Sequence, residues 1–351
     1  MFNQYINKIP ITYYGRRALD ILSNFKKKKI VVIYSKSIEK SGELSKILEK
    51  LKENEVEKIS PSANTKNEIS LLSKKIKDCD VLVSIGGGNV IDFSKLLSVQ
   101  IDNPNISITD LNNSIYLLKK TELVVIPSTP STGSQVTPIA ITHGETKEKI
   151  ILINDNLIPD KVILYSPLLS SINKKQMAEF FCDIFAHCAE SYLSRLTNPF
   201  VQCLSDSILK KLPQDWKEYL ANPENISILD NISFDGQIGG VCQGNAYTGV
   251  MHAIAHQIES VYGLGHSKIL LNLIKPVLEW YNKNDDKKIY QELIKSFNKL
   301  NLEEYQENIF QNINLENLAV KILNDPSIKT SPIIFNEEKI LSLIKWISIK
   351  K

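Results

Sequence analysis

Apolar positions follow two different patterns in the two halves of this chain of 351 residues. The first half contains four short runs rich in β-branched residues, and turn residues follow each of them. A run that is apolar on both faces is typical of a parallel strand covered by helices on each side. The strands predicted in this way are residues 30–34, 81–85, 123–126 and 162–164.

Segments whose apolar residues have helical spacing lie between these runs. Residues 41–51 and 69–76 carry apolar side chains three and four positions apart, which predicts helices that bury one face. Strands that alternate with helices favour a doubly wound parallel sheet. We therefore predict an α/β nucleotide-binding domain over residues 1–168.

The strand pattern stops after about residue 170, and helical spacing continues from Lys174 onward. Pairs and triplets of turn residues interrupt this helical pattern. The predicted breaks are at residues 198–199, 222–223, 263–265, 284–286 and 324–326. This pattern predicts an all-α second domain over residues 169–351.

Composition and charge exclude several classes of protein. The chain has 42 basic and 39 acidic residues, and 43% of its residues are hydrophobic, which is ordinary for a globular protein and predicts no nucleic-acid partner. No apolar run approaches the roughly 18 residues that span a bilayer, and the first residues do not resemble a signal peptide, so we expect no membrane partner. Five cysteines without a CxxC pair favour reduced thiols and a cytoplasmic protein.

Four of the five histidines form a pattern with one aspartate. Asp183 and His187 are four residues apart, as are His252 and His256, so each pair shares one face of a helix. His266 follows after a glycine-containing break. Any one of these histidines is more simply explained as a core residue. Together with the carboxylate they predict a site for a divalent cation, because one element rarely supplies a whole coordination shell.

Two loops in the first half suit a nucleotide. Gly86, Gly87 and Gly88 end a predicted strand and open a helix, where a glycine backbone can approach a pyrophosphate. A triple glycine is also common in tight turns. The loop 127–137 follows the next strand and is rich in hydroxyl groups, which could hold ribose, phosphate or carboxamide, although ordinary loops share this composition. The other candidate nucleotide-binding residues in and beside these loops are Asn89, Asp92, Ser128, Thr129, Thr132 and Ser134.

Taken together, these motifs resemble the metal-dependent, iron-containing type of alcohol dehydrogenase, a family related to glycerol dehydrogenase and dehydroquinate synthase. The resemblance covers nearly the whole chain. The matching segments are residues 14–16, 86–92, 127–137, 154–160, 183–187 and 244–266. The resemblance implies a dehydroquinate synthase-like fold, which agrees with the two predicted domains.

The resemblance also implies the roles of the histidine cluster. Asp183, His187, His252 and His266 would bind Fe²⁺ or Zn²⁺, and His256 would lie beside the metal without binding it. A bound ion would polarise the oxygen of an alcohol, whose carbon then passes a hydride to NAD or NADP. His256 is the candidate catalytic residue, as a relay for the alcohol proton.

The chain departs from the family pattern at several positions. Asn89 stands where serine is usual, the loop 130–135 lacks the usual Ala-Gly-Thr-Gly-Ser-Glu, and Phe181 replaces a glycine. Gly265 and Ser267 replace the Pro and Gly that flank the last ligand. The ligands are retained but their surroundings are not. We therefore predict a substrate other than the simple alcohols, namely a polyol or a sugar-derived alcohol, with the terminal hydroxyl of a sugar acid as one candidate.

Cofactor choice depends on the end of the first predicted strand. Ser35 occupies the position where NAD-preferring relatives carry Asp, and Lys36 follows it. Without a carboxylate to repel a 2′-phosphate, NADP should be accepted as well as NAD. We further expect a small-molecule alcohol or aldehyde substrate and a homo-oligomer, as a dimer.

Two other functions fit the same motifs. One is a carbocycle-forming lyase like dehydroquinate synthase, in which NAD is oxidised and reduced within one turnover. The loop 127–137 follows the dehydrogenase pattern and disfavours it. The other is a non-catalytic metal- or nucleotide-binding homologue, which Phe181 and Gln135 make conceivable.

Overall fold

The computed structural model describes residues 6–76, 78–114, 116–130, 132–145, 148–285 and 287–349. Ser131 and Asp286, which belong to a predicted loop and a predicted helix break, lie outside these residues. By its internal contacts the chain divides into two compact units. The first contains Ile6–Ser171 and Glu224–Gly240, and the second contains the other described residues. The domain boundary between residues 168 and 169 stays a prediction.

A parallel sheet forms the centre of the first unit. Its six strands lie in the order β1-β8-β5-β4-β2-β3, and a separate antiparallel hairpin consists of β6 and β7. The strands of the described residues are β1 (Ile11–Tyr14), β2 (Lys29–Tyr34), β3 (Glu55–Ile59), β4 (Val81–Gly86), β5 (Glu122–Pro127), β6 (Ile139–His143), β7 (Lys149–Ile153) and β8 (Lys161–Leu164). The sheet confirms the predicted doubly wound α/β fold.

The four predicted strands lie inside the sheet, and the two that the sequence did not indicate are its edges. β4 is buried at every position, whereas β3 has no fully buried residue. On β1, the side chain of Ile11 is 61% exposed. An edge strand does not need to be apolar on both faces, so the pattern that identifies central strands misses it.

Helices cover the sheet. They are α1 (Lys36–Lys40), α2 (Glu43–Glu49), α3 (Lys66–Lys75) and α4 (Gly88–Asp102). The side chain of Thr65 accepts a hydrogen bond from the backbone N–H of Glu68 and so caps α3. α4 begins within the glycine loop, and it is buried from Ile91 to Gln100 because it packs against β4, β6 and α3.

The second half of the chain is helical, as predicted. Its helices are α5 (Lys174–Leu193), α6 (Pro199–Ala221), α7 (Ile226–Ala246), α8 (Val250–Tyr262), α9 (His266–Asn284), α10 (Lys288–Asn298), α11 (Ala319–Asn324) and α12 (Glu337–Ile349). α5 packs against both α6 and α9 and is buried over most of its length. α7 contributes to both units, since its residues up to Gly240 group with the first.

Candidate functional site

α5 and α8 bring three candidate ligands together. Asp183 and His187 lie one turn apart on α5, and His252 lies in the first turn of α8; all three side chains are buried. His187 Nε2 is 3.6 Å from Asp183 Oδ1, and His252 Nε2 is 3.8 Å from the same oxygen. One donor atom from each residue lies within 4.8 Å of the other two. Such separations suit atoms that each bind a shared ion at about 2.1 Å.

The buried donor atoms test whether a cation fits here. Asp183 Oδ1 and His252 Nε2 are shielded from solvent and make no hydrogen bond within the described part of the chain. Burying polar atoms without a partner is costly. A metal ion between these atoms would satisfy both, so the residues present fit the divalent cation that the sequence predicts.

His266 and His256 border this group. His266 is the first residue of α9, and its ring centroid is 5.2 Å from that of His252 and 5.4 Å from that of His256. His266 Nδ1 lies 3.5 Å from Glu259 Oε2, and its ring is not one of the two imidazoles grouped with Asp183 among the described residues. The structure thus places all four candidate ligands in one cluster, with His266 at its more exposed side.

Charge in the cluster favours a cation. Burial tends to raise the pKa of Asp183, but the neighbouring His187, His252 and His266 hold it well below its usual range. Burial tends to lower the pKa of His252, but the carboxylates of Asp183 and Glu190 outweigh this effect and raise it to about 9. The buried carboxylates therefore attract positive charge, which a proton or a metal ion can supply.

Two further side chains hold the candidate ligands, and no motif in the sequence indicates this role for either of them. Glu190 lies on α5, and its carboxylate accepts a hydrogen bond from His252 Nδ1 at 2.6 Å. Ser267 Oγ donates to Asp183 Oδ2 at 3.2 Å. The signal for Glu190 was its spacing, because it is three residues after His187 and so shares that face of the helix.

His256 has its own carboxylate partner. His256 Nδ1 lies 3.1 Å from Asp325 Oδ2, which also accepts from Gln257 Nε2 at 3.1 Å. Asp325 is buried, which tends to raise its pKa, but its hydrogen bond with His256 produces a net decrease. An ionised carboxylate can only accept, so Nδ1 is the donor and the ring orientation is fixed.

The glycine loop lies at the carboxyl end of β4, beside the end of β2. Gly86 ends β4 and Gly88 begins α4, and the backbone N–H of Ser35 donates to Ile85 O at 3.1 Å. A Cβ atom at Gly86 would lie 2.7 Å from Val90 Cβ, whereas one at Gly87 would have only ordinary contacts with Thr129 at 3.5 Å. Gly86 is therefore required by packing, and Gly87 is not.

The hydroxyl loop follows β5 and lies against the glycines. Ser128 N donates to Gly86 O at 2.9 Å, and a Cβ atom at Gly88 would meet Thr132 at 3.2 Å. The Oγ1 atoms of Thr129 and Thr132 are buried and make no hydrogen bond to the described residues. Unpartnered hydroxyls beside a glycine loop at a helix N-terminus fit a bound phosphate or ribose.

A buried network joins the two loops. Asp92 accepts hydrogen bonds from Ser134 Oγ and from the backbone N–H of Ile141, and Lys95 Nζ donates to Ile139 O at 2.6 Å. Burial raises the pKa of Asp92 and lowers that of Lys95 to about 8. Both oxygens of Asp92 are thus engaged within the protein, whereas Asn89 is exposed at the start of α4.

Phe181 is the largest departure from the family pattern near the ligands. Its side chain is fully buried, and its ring packs on Trp216 with the centroids 5.0 Å apart. The substitution therefore fills the helical core beside α6.

Family models match both halves of the chain. The model of the iron-containing alcohol dehydrogenase family matches residues 11–166, and that of the C-terminal part of the Fe-containing family matches residues 178–333. The chain belongs to the iron-containing alcohol dehydrogenase family. This confirms the resemblance seen in the sequence, and with it the predicted class of enzyme, an alcohol and aldehyde oxidoreductase. Membership also implies the use of a metal and of NAD(P).

Curated relatives in the iron-containing alcohol dehydrogenase family are distant. The NADPH-dependent butanol dehydrogenase of Clostridium saccharobutylicum is 27% identical over 267 residues, which cover 72% of this chain and 68% of that protein. The bifunctional aldehyde-alcohol dehydrogenase AdhE of Escherichia coli K12 is 26% identical over 317 residues, or 81% of this chain. The chain spans only 34% of the length of AdhE.

Solved structures share the fold over the whole chain. A 1,3-propanediol oxidoreductase has a TM-score of 0.88 at 19% identity, covering 99% of this chain and 100% of that one. A sulfoacetaldehyde reductase from Bifidobacterium kashiwanohense in complex with NAD⁺ has a TM-score of 0.84 at 16% identity, with 100% of each chain covered. Among the described residues, no helix is both long and apolar enough to cross a membrane.

Proposed function

We propose that the protein is a metal-dependent, NAD(P)-linked dehydrogenase that interconverts an alcohol and its aldehyde or ketone. We assign Asp183, His187, His252 and His266 as the ligands of Fe²⁺ or Zn²⁺. The observation that carries this proposal is the buried Asp183 Oδ1, which faces two imidazoles and makes no hydrogen bond to any described residue. Three imidazoles and a carboxylate without thiolate are typical of a catalytic rather than a structural site.

The side chains around the cluster define the chemistry. When bound, the ion polarises the substrate oxygen and the nicotinamide exchanges a hydride with the substrate carbon. His256 would take the alcohol proton during oxidation and return it during reduction. Because Nδ1 of His256 is held by Asp325 at 3.1 Å, we assign the transfer to Nε2.

For the nucleotide we propose the glycine and hydroxyl loops. The backbone at Gly86, Gly87, Gly88 and Asn89 would hold the pyrophosphate, and the hydroxyls of Ser128, Thr129 and Thr132 would hold neighbouring groups. In this arrangement Asp92 and Ser134 stabilise the two loops, because Ser134 Oγ donates a hydrogen bond to the carboxylate of Asp92.

Gly87→Val tests this assignment cleanly. A Cβ atom at Gly87 meets only Thr129, at an ordinary distance of 3.5 Å, and its φ of −82° is accessible to any residue. The protein should therefore fold normally, while the branched side chain blocks the approach of the pyrophosphate. We expect the affinity for NAD and NADP, measured by calorimetry, to fall by about 100-fold or more, equivalent to roughly 2.7 kcal/mol. Undiminished nucleotide binding would rule out this loop.

Ser35→Asp tests the choice of nucleotide. Ser35 is the residue before α1, where its Oγ lies 2.9 Å from Ser37 Oγ in an exposed setting. A carboxylate there would accept from the ribose hydroxyls of NAD and repel the 2′-phosphate of NADP. The ratio of kcat/KM for NADP over NAD should fall at least about tenfold. An unchanged ratio would place the adenine ribose elsewhere.

The substrate we propose is a polyol or a sugar-derived alcohol, with the terminal hydroxyl of a sugar acid as one candidate. The support for this substrate class is that the candidate ligands match the family pattern, whereas residues around them do not. One of these residues is Ser267, which contacts Asp183. Assay of the iron-loaded protein with polyols, sugar acids, butanol and 1,3-propanediol, using both nucleotides, tests it. Preference for butanol over every polyol and sugar acid would contradict this substrate class.

A further inference from the structure

Glu190 is a buried carboxylate beside the histidine cluster, and both of its oxygens accept hydrogen bonds. Its side chain is 3% exposed. Its Oε2 accepts from the backbone N–H of Gly249 at 2.8 Å and from His252 Nδ1 at 2.6 Å, and its Oε1 accepts from the backbone N–H of Met251 at 2.7 Å. One side chain of α5 thus holds both the start of α8 and the ring of a candidate ligand.

We propose that Glu190 is a positioning residue that fixes the tautomer and orientation of His252 for metal binding. The proposal rests on the metal site proposed above. Backbone N–H groups can only donate, and a carboxylate that accepts two of them is an acceptor for the third partner as well. Nδ1 of His252 is therefore the donor, and Nε2 is the atom that points at Asp183 Oδ1, 3.8 Å away. Carboxylates that hold metal-binding histidines in this way increase their basicity and fix their geometry.

The space around Gly249 is adapted to this carboxylate. A Cβ atom at Gly249 would lie 2.8 Å from Glu190 Oε1 and 3.2 Å from its Cδ. The φ of Gly249 is −135°, which any residue can adopt. The obstacle to a side chain there is therefore a steric contact and not the backbone conformation. Gly249→Ala would therefore push the head of Glu190 away from His252 while it leaves both residues chemically unchanged.

The test measures binding of Co²⁺ alone to the metal-free protein, together with the visible absorption spectrum of the Co²⁺ form, which reports ligand geometry. Glu190→Ala should weaken Co²⁺ affinity by about 10- to 100-fold and shift the spectrum. Glu190→Gln should recover part of the affinity, because its amide oxygen can still accept the ring N–H. Gly249→Ala should also weaken Co²⁺ affinity. If Glu190→Ala does not fold, the result for Gly249→Ala alone tests the proposal.

Ser191→Ala is the matched control. Ser191 is the next residue on α5, and its Oγ donates to Tyr247 O at 3.1 Å, so it ties α5 to the segment before α8. Within the described residues, its side chain makes no hydrogen bond to a candidate ligand. This variant should lower thermal stability and leave Co²⁺ affinity unchanged.

Unchanged Co²⁺ affinity and spectrum in both Glu190→Ala and Gly249→Ala would overturn the proposal, and Glu190 would then only cap α8. Loss of affinity in Ser191→Ala equal to that in Glu190→Ala would overturn it too. If the unmodified protein itself binds no Co²⁺, the metal site fails and this proposal fails with it.

Discussion

His252→Ala should abolish metal binding and turnover while the protein remains folded. His252 Nε2 faces Asp183 Oδ1, and alanine removes that donor together with the hydrogen bond to Glu190. Loss of an outer partner of a ligand costs about 10- to 100-fold in metal affinity, so loss of the ligand itself should exceed about 100-fold. Elemental analysis after dialysis measures the effect, and His266→Ala should act in the same direction.

The fifth histidine provides the control for this prediction. His143 lies at the end of β6, where its Nδ1 is 3.3 Å from Asn64 O, far along the chain from the histidine cluster. His143→Ala should retain the metal content of the unmodified protein. Full metal occupancy in His252→Ala would refute the ligand assignment, and equal loss in His143→Ala would show that the effect is not local.

Gly236→Ala should destabilise the protein by about 3 kcal/mol or more and weaken nucleotide binding. A Cβ atom at Gly236 would lie 1.2 Å from the carbonyl oxygen of Pro130, and one at Gly240 would lie 2.5 Å from Gly133 Cα. These glycines are one turn apart on α7 and let the helix pack directly against the backbone of the hydroxyl loop. The loop must move to admit a methyl group, and Thr129 and Thr132 move with it.

Denaturant unfolding and nucleotide calorimetry measure this effect. Helix propensity alone predicts the opposite sign, because alanine is favoured over glycine inside a helix by about 0.5–1 kcal/mol. Asn231→Ala, at an exposed position of the same helix, is the control and should change neither quantity appreciably. A Gly236→Ala protein as stable as the unmodified one would contradict the close packing of α7 on this loop.

Sequence patterns could predict the elements in which residues of one type recur at a regular spacing or occupy nearly every position. Central strands such as β4 are apolar at nearly every position, and Asp183 and His187 have a spacing that places both on one face of a helix. The edge strand β3 gave no such signal, because its exposed face tolerates charge. Nucleotide-loop residues were predicted as a group, but the sequence did not show that the carboxylate of Asp92 is turned to Ser134 inside the protein.

The supporting residues of the candidate site were harder to predict for a physical reason. Glu190, Ser267 and Asp325 act through contacts with residues 62, 84 and 69 positions away. A single carboxylate or hydroxyl carries no pattern in the sequence until the fold shows which ring or oxygen it meets. Such residues follow from the structure rather than from motifs.

Transfer of deuterium tests the central claim most directly. The alcohol that gives the highest turnover in the substrate panel is labelled with deuterium on its reacting carbon and incubated with NAD(P) and the protein, with and without iron. The account predicts that the iron-loaded protein places deuterium at C4 of the nicotinamide, and that the metal-free protein and His252→Ala do not. Equal transfer with and without metal, or no transfer by the loaded protein, would contradict it.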